Sequence, residues 1–164
     1  MNRIKVVNEP SDLVPILRAV DTETKRKVFQ EVSTDWRTAT EIEEKFGEEG
    51  KEALVFFEKM KLVETKWQSS DSGAEKAYHT YYKSFHINTS TPVMDISDVL
   101  AAAMMPEKEF KKLEDRLVKI IGNDGVFVGD ATKDLDLSQM MLKSLVKRST
   151  RLEYRGHRIE LITE

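Results

Sequence analysis

Residues 37–83 read as helix, tight turn, helix, strand, charged loop and strand, with almost no chain left over to connect them. Residues 38–47 (TATEIEEKFG) form the first helix. Thr38 or Thr40 can accept a backbone N–H at its start, and Ile42 and Phe46 lie four apart on one face. Gly47 ends it, and Glu48-Glu49-Gly50 makes the turn. Residues 51–61 (KEALVFFEKMK) resume helical spacing, with Ala53, Leu54, Phe57 and Met60 on one side. Residues 62–67 alternate as a strand, residues 69–73 are a loop, and residues 77–87 return as a second strand. Two packed helices followed by a hairpin is the plan of a winged helix-turn-helix, whose second helix commonly enters the DNA major groove.

Projected at about 100° per residue, the second helix turns Lys51, Glu52, Val55 and Lys59 away from its apolar side. That flank offers two cations, an acid and a small apolar group suited to a thymine methyl. Arg37, Thr38, Thr40, Lys66 and Lys76, from the first helix's start and the hairpin, complete the expected DNA-binding set. The balance of charge is unhelpful to this reading. Residues 1–90 carry 14 Lys and Arg against 16 Asp and Glu, a net of −2, within a chain of net charge −3. Indiscriminate binding through a broadly basic surface is therefore excluded.

A chain of 164 residues with 40% apolar content can bury a real core. It has no apolar run near the roughly 20 residues of a membrane span, and its first residues lack signal-peptide anatomy. Without cysteine it has neither disulfides nor a thiolate metal site, which fits a cytoplasmic protein.

The remaining segments are also mostly helical. Residues 10–20 form a helix with Leu13, Ile16, Leu17 and Val20 inward, and Pro15 near its first turn. Residues 24–32 form another, capped by Asp21 or Thr22. The segment 88–92 (NTSTP) is the best junction, separating domains at 1–90 and 91–164. Beyond it, residues 95–104 form a small-residue helix capped by Asp95, and Pro106 opens a longer helix to Ile121. In that helix Phe110, Leu113, Leu117 and Ile120 recur like a heptad seam, which could pack on the winged helix or, as the favoured reading, form the dimer interface, with Lys111, Lys112, Glu114, Asp115 and Lys119 on the solvent side. Val126-Phe127-Val128 is a short strand or buried loop, Asp130, Asp134 and Asp136 lie in a loop, and Asp136 caps a helix to Ser149. At the end, Arg155-Gly156 forms a two-residue turn that pairs Tyr154 with His157, Glu153 with Arg158, Leu152 with Ile159 and Arg151 with Glu160.

Catalysis has no candidate constellation. There is no phosphate-cradling glycine loop and no nucleophile elbow. Metal binding lacks a ligand set, because His79 and His86, seven apart, fall on opposite faces of an uninterrupted strand. No cofactor is expected. Residues 143–158 do concentrate charge, with six cations against Glu153 for a net of +5. With Arg151 and Arg158 paired in the hairpin, Lys143, Lys147, Arg148 and Arg155 remain as a possible second anion or DNA contact.

The text from Asp35 through Gly47 (DWRTATEIEEKFG), residues 54–66, the wing text AEKAYHT at 74–80 and the stretch NTSTPVMDISDVLAAAMM at 88–105 resemble archaeal regulators of the arsenic-repressor (ArsR) type, in the branch with a C-terminal extension. The resemblance implies a homodimeric DNA-binding transcription regulator that reads duplex DNA with residues 51–61. Founding members of that group release DNA on binding metal through cysteines or histidines. This chain has no matching ligands, so that chemistry does not carry over. The expectation is a mainly α, α+β chain: a winged helix-turn-helix with a helical and hairpin extension. The non-DNA alternative is a winged helix that serves as a protein-interaction module, which Glu48, Glu49 and Glu52 would suit.

Overall fold

The computed structural model describes residues 3–162. They form a mixed α+β fold and divide into two compact units, residues 3–6 with 19–87 and residues 7–18 with 88–162. The helix expected at residues 10–20 is a 3₁₀ turn, Pro10–Asp12, followed by α1, Leu13–Ala19, most of which belongs with the later part of the chain.

The first unit opens with all but the last residue of strand β1, Ile4–Val7, and β1 pairs with β5, Ser84–Ile87. Helix α2, Glu23–Thr34, starts where the Thr22 side chain accepts the Lys25 N–H, and Val28 and Val32 are buried beneath it. After it come β2, Arg37–Thr38, helix α3, Ala39–Lys59, and the hairpin of β3, Val63–Ser70, with β4, Gly73–Thr80. The three strands lie in the order β2-β4-β3. Ile42, Ala53, Leu54 and Phe57 of α3 meet Val28, Val32, Leu62 and Tyr78 in one core. This helix–strand–helix–helix–hairpin order is consistent with the winged-helix plan.

Two sequence expectations change here. Glu48-Glu49-Gly50 is not a turn. The chain breaks its helix at Gly47 alone, with φ 73° and ψ −160°, and is helical again at once. Gly50 is then a packing position. A Cβ there would stand 2.7 Å from Phe46 Cβ and 3.0 Å from Ile42 Cγ2, so the two halves of α3 close upon each other only over a glycine. The strand expected at 77–87 is likewise two strands. Residues 81–83 leave the three-stranded sheet, and β5 joins β1 instead.

The second unit contains α4, Val93–Met104, α5, Glu107–Ile121, β6, Val126–Phe127, α6, Val128–Leu135, α7, Gln139–Arg148, and the hairpin β7, Leu152–Arg155, with β8, Arg158–Leu161. Helix α4 starts behind Pro92, with Asp95 inside its first turn rather than capping it. The segment 128–135 is a helix, not a loop. Asp136, at φ 52°, closes α6, and it is Ser138 that caps α7 by accepting the Met141 N–H.

From α5 onward the second unit repeats the plan of the first: helix, two-residue strand, helix, helix, hairpin. Its sheet order is β6-β8-β7, so in both units the short strand pairs with the second arm of the hairpin. The register of the last hairpin differs from the expected one by two residues. Tyr154 pairs with Ile159 and Arg155 with Arg158, around a turn in which Gly156 has φ 66°. A two-residue shift preserves the faces. Leu152, Tyr154 and Ile159 still share one side, whereas Glu153 now opposes Glu160. Arg155 bridges those acids at 3.0 and 3.3 Å.

The seam of α5 is internal. Phe110 packs with Ala102 and Leu145, and Leu117 with Leu142, Val146 and Ile159, leaving Leu117 only 1% exposed. Leu113 and Ile120 are half-buried against the same two cores. Phe110 and Leu117, expected in a dimer seam, are thus used within the subunit. Glu114, expected on the solvent side, is buried, where it accepts hydrogen bonds from Ser149 Oγ at 2.6 Å and Arg151 Nη2 at 2.9 Å.

Candidate nucleic-acid interface

The second half of α3 exposes one flank and buries the other. Lys51, Glu52, Val55 and Lys59 are exposed, Val55 to 46%, while Ala53, Leu54 and Phe57 are at most 1% exposed. Burying a Leu or Phe side chain is worth roughly 1.5–3 kcal/mol, so the inner flank anchors the helix and fixes which residues face out. The outer flank is close to neutral. Lys51 reaches Glu43 at only 3.8 Å, Glu52 lies beside it, and Lys59 has no ion-pair partner among the described residues. Glu48 and Glu49 add negative charge one turn earlier, with Glu49 accepting from Thr24 Oγ1 at 3.1 Å.

The residues at the start of α3 are structural first. Thr38 is buried and accepts the Glu41 N–H at 3.1 Å, forming the N-cap. Thr40 is exposed, and its N–H donates to Glu75 Oε1 of the hairpin at 2.9 Å. The Thr40 hydroxyl, followed by this backbone bond, holds the Glu75 carboxyl below its ordinary value. Arg37 pairs with Glu31 at 3.1 Å, and Lys45 pairs with the same carboxylate, which lowers the Glu31 pKa. Arg37, Thr38 and Thr40 therefore tie α2, α3 and the hairpin together. Of the three, Thr40 has the most open side chain.

On the hairpin, Lys66 is exposed and lies over the Trp36 ring at 4.2 Å. Lys76 is half-buried against Glu58, and that contact raises its pKa. The structure thus brings together Lys51, Glu52, Val55 and Lys59 on one flank, and puts Lys66 and Lys76 on neighbouring hairpin strands. Trp67 was missed by the sequence reading. It is 71% exposed, beside Lys66 on β3, an indole offered to solvent on an otherwise polar strand. Alternation puts Trp67 on the same side as Val63, so the sequence pattern gives no sign of its exposure.

The second basic cluster does not survive as free charge. Lys143 pairs with Glu9 and Lys147 with Asp12, each at 3.0 Å, and Arg155 is shared by Glu153 and Glu160. Arg148 has only 2% of its side chain exposed. It donates to the carbonyls of Ala102 and Met105 at 2.9 and 2.7 Å, pairs with Glu107 and lies over the Phe110 ring. His79 stacks on Trp36 with centroids 5.3 Å apart, and no group of three potential metal ligands occurs among the described residues.

A helix clamped by its apolar flank, with its polar flank to solvent and a hairpin beside it, is how helix-turn-helix transcription regulators are built. The chain matches the family model of the ArsR transcriptional regulator across residues 7–163, and it belongs to that family. No curated relative matches it. Among the described residues no helix is long and apolar enough to cross a membrane.

Proposed function

We propose that this chain is a homodimeric regulator of the archaeal ArsR type that binds duplex DNA in the cytoplasm. The second half of α3 lies in the major groove and the β3–β4 hairpin lies along the backbone. The observation that carries this reading is the joint exposure of Lys51, Glu52, Val55 and Lys59 on a helix whose other flank is locked into the core. Lys51, Lys59 and Lys66 contact phosphates, Val55 supplies the apolar touch on a base, and Trp67 packs on the sugar–phosphate edge. Dimerisation uses the outer side of α4 rather than α5. Val93, Met94, Leu100 and Met104 recur there at helical spacing, all exposed, with Ser97 and Ala101 between them and no charge on the stripe. The boundary at residues 88–92 separates the reading part from the extension.

The test is duplex binding by fragments selected from the source genome, with Lys51→Ala and Val55→Glu as variants. Lys51→Ala should weaken all duplexes about equally and flatten the salt dependence, and Val55→Glu should abolish selectivity. Wild-type protein that selects no duplex overturns the reading. It would favour a protein-interaction module, for which the acids Glu48, Glu49 and Glu52 along the same helix are the supporting feature.

A further inference from the structure

The second unit repeats the helix–strand–helix–helix–hairpin order, yet α7, in the position of the groove-reading helix, is covered. Ser144, Leu145, Val146 and Arg148 are buried, α4 and the 3₁₀ turn lie along it, and its lysines are taken by Glu9 and Asp12. Cationic surface in this unit is found on another helix. Along α5, Lys108, Lys111, Lys112, Arg116 and Lys119 fall at spacings of 3, 1, 4 and 3, a single helical face, and all are exposed. None has an ion-pair partner among the described residues. The acids of the same helix are mostly engaged elsewhere. Glu107 pairs with Arg18 and Arg148, and Glu114 and Asp115 with Arg151. Glu107 and Asp115 stay exposed even so, and Asp115 lies within the lysine face, four residues from Lys111 and from Lys119, where Arg151 neutralises it; Glu109, also exposed, stands on the flank.

We propose that this face of α5 is a second phosphate-contacting surface that takes the backbone of duplex DNA. It rests on the reading of the chain as a duplex-binding protein. A merely solvated helix face interleaves signs, because like charges three or four residues apart repel by a few tenths of a kcal/mol each. Here Lys108 faces Lys111 and Lys112, Lys112 faces Arg116, and Arg116 faces Lys119, in a chain whose net charge is −3. A polyanion relieves that repulsion. The ridge runs about 16 Å at 1.5 Å per residue, and duplex DNA presents a charge about every 1.7 Å of its axis. A bilayer is the weaker match. Membrane-surface helices keep a free apolar flank, whereas the apolar side of α5 is committed to its own core through Phe110, Leu117 and Ile121.

The experiment compares the full chain with its K111Q/K112Q/R116Q/K119Q variant on a mixed-sequence duplex over a range of salt. Anionic vesicles and duplex RNA serve as parallel probes. All four sites are exposed, and glutamine keeps helix propensity, so the fold is retained. The expected result is a log–log salt slope shallower by about 0.9 for each lysine or arginine that sits on a phosphate, with DNA affinity lowered about tenfold or more and preference among sequences unchanged. Identical slope and affinity in the variant overturn the proposal, as does a variant that loses only vesicle or RNA binding. If the wild-type chain binds no duplex at all, the proposed function itself has failed. If it binds and Lys51→Ala weakens it while the α5 variant does not, only this inference has.

Discussion

Gly47 is where a single methyl group should have its largest backbone effect. It sits at φ 73° and ψ −160°, between two helical halves, in a region that side-chain-bearing residues scarcely enter. Holding alanine there costs about 1–3 kcal/mol. Alanine also restricts the unfolded chain, which returns ~0.4–1 kcal/mol. The net destabilisation is then about 1–2 kcal/mol, or roughly 2–8 °C in Tm for a chain this long. Space plays no part, because a Cβ at Gly47 would meet nothing within 4 Å. The control is Gly129→Ala. That glycine lies within α6, also with open space around its missing Cβ, and there alanine should stabilise by up to about 1 kcal/mol through helix propensity alone. Urea or thermal unfolding of the two variants decides the matter, read by far-ultraviolet circular dichroism. If Gly47→Ala melts with the wild type, or both variants shift the same way, the conformational argument for the break in α3 is wrong.

Other consequences are simpler. The buried Tyr154 hydroxyl has no hydrogen-bond partner among the described residues, and burial pushes its pKa up to about 12 from 10. The folded state thus holds the proton more tightly than the unfolded one, so this contribution to stability is intact below pH 10 and is lost as pH rises from there towards 12. Tyr154→Phe should flatten the alkaline limb of a stability–pH curve and be neutral or stabilising at pH 7. A variant that keeps the alkaline loss would reject the assignment. On α5, Leu117→Ala should cost about 2–5 kcal/mol as a core truncation while leaving the mass in solution unchanged. Met104→Glu, at a site 79% exposed on α4, should instead shift a dimer toward monomer with little loss of subunit stability. Light scattering with the opposite pattern would return the dimer seam to α5.

The first unit was readable because its signals are local. Thr22 and Thr38, each one of two cap candidates, are the residues that cap α2 and α3, and the apolar spacing of residues 53–57 places the inner face of the second half of α3. The second unit was only half readable. Helix α6 is built on Gly129, Asp130, Thr132 and Asp134, all weak helix formers, and only Val128, Ala131 and Leu135 betray its inner side. Missing it concealed the repeat. The stripe at Phe110, Leu113, Leu117 and Ile120, expected to be a dimer seam, packs within the subunit. Periodicity reports that a face is covered and is silent on what covers it, and here the cover is α7 and the last hairpin. The partners of Lys143 and Lys147 lie more than a hundred residues away in sequence, at Glu9 and Asp12. No local pattern announces such a pairing.

That pairing also explains how one plan, used twice, can leave one helix open and close the other. The second half of α3 and helix α7 each follow a short helical segment, precede a hairpin and carry lysines eight or four residues apart. On α3 the flank away from the core meets no further element, so Lys51, Val55 and Lys59 stay exposed. On α7 the same flank meets α4 and the 3₁₀ turn, whose Val99, Ala102 and Ala103 are small enough to approach closely. Closing that interface demands compensation most of all at Arg148, the one of its three cations that is buried, since a buried unpaired charge costs several kcal/mol, while Lys143 and Lys147 are only partly covered. Glu9, Asp12 and Glu107 provide it, together with the carbonyls at the end of α4. The acids stand against α7 where a nucleic acid's phosphates would stand against a reading helix. Charge on α7 is therefore consumed in holding the unit together, and the row of unpaired cations falls to α5 instead.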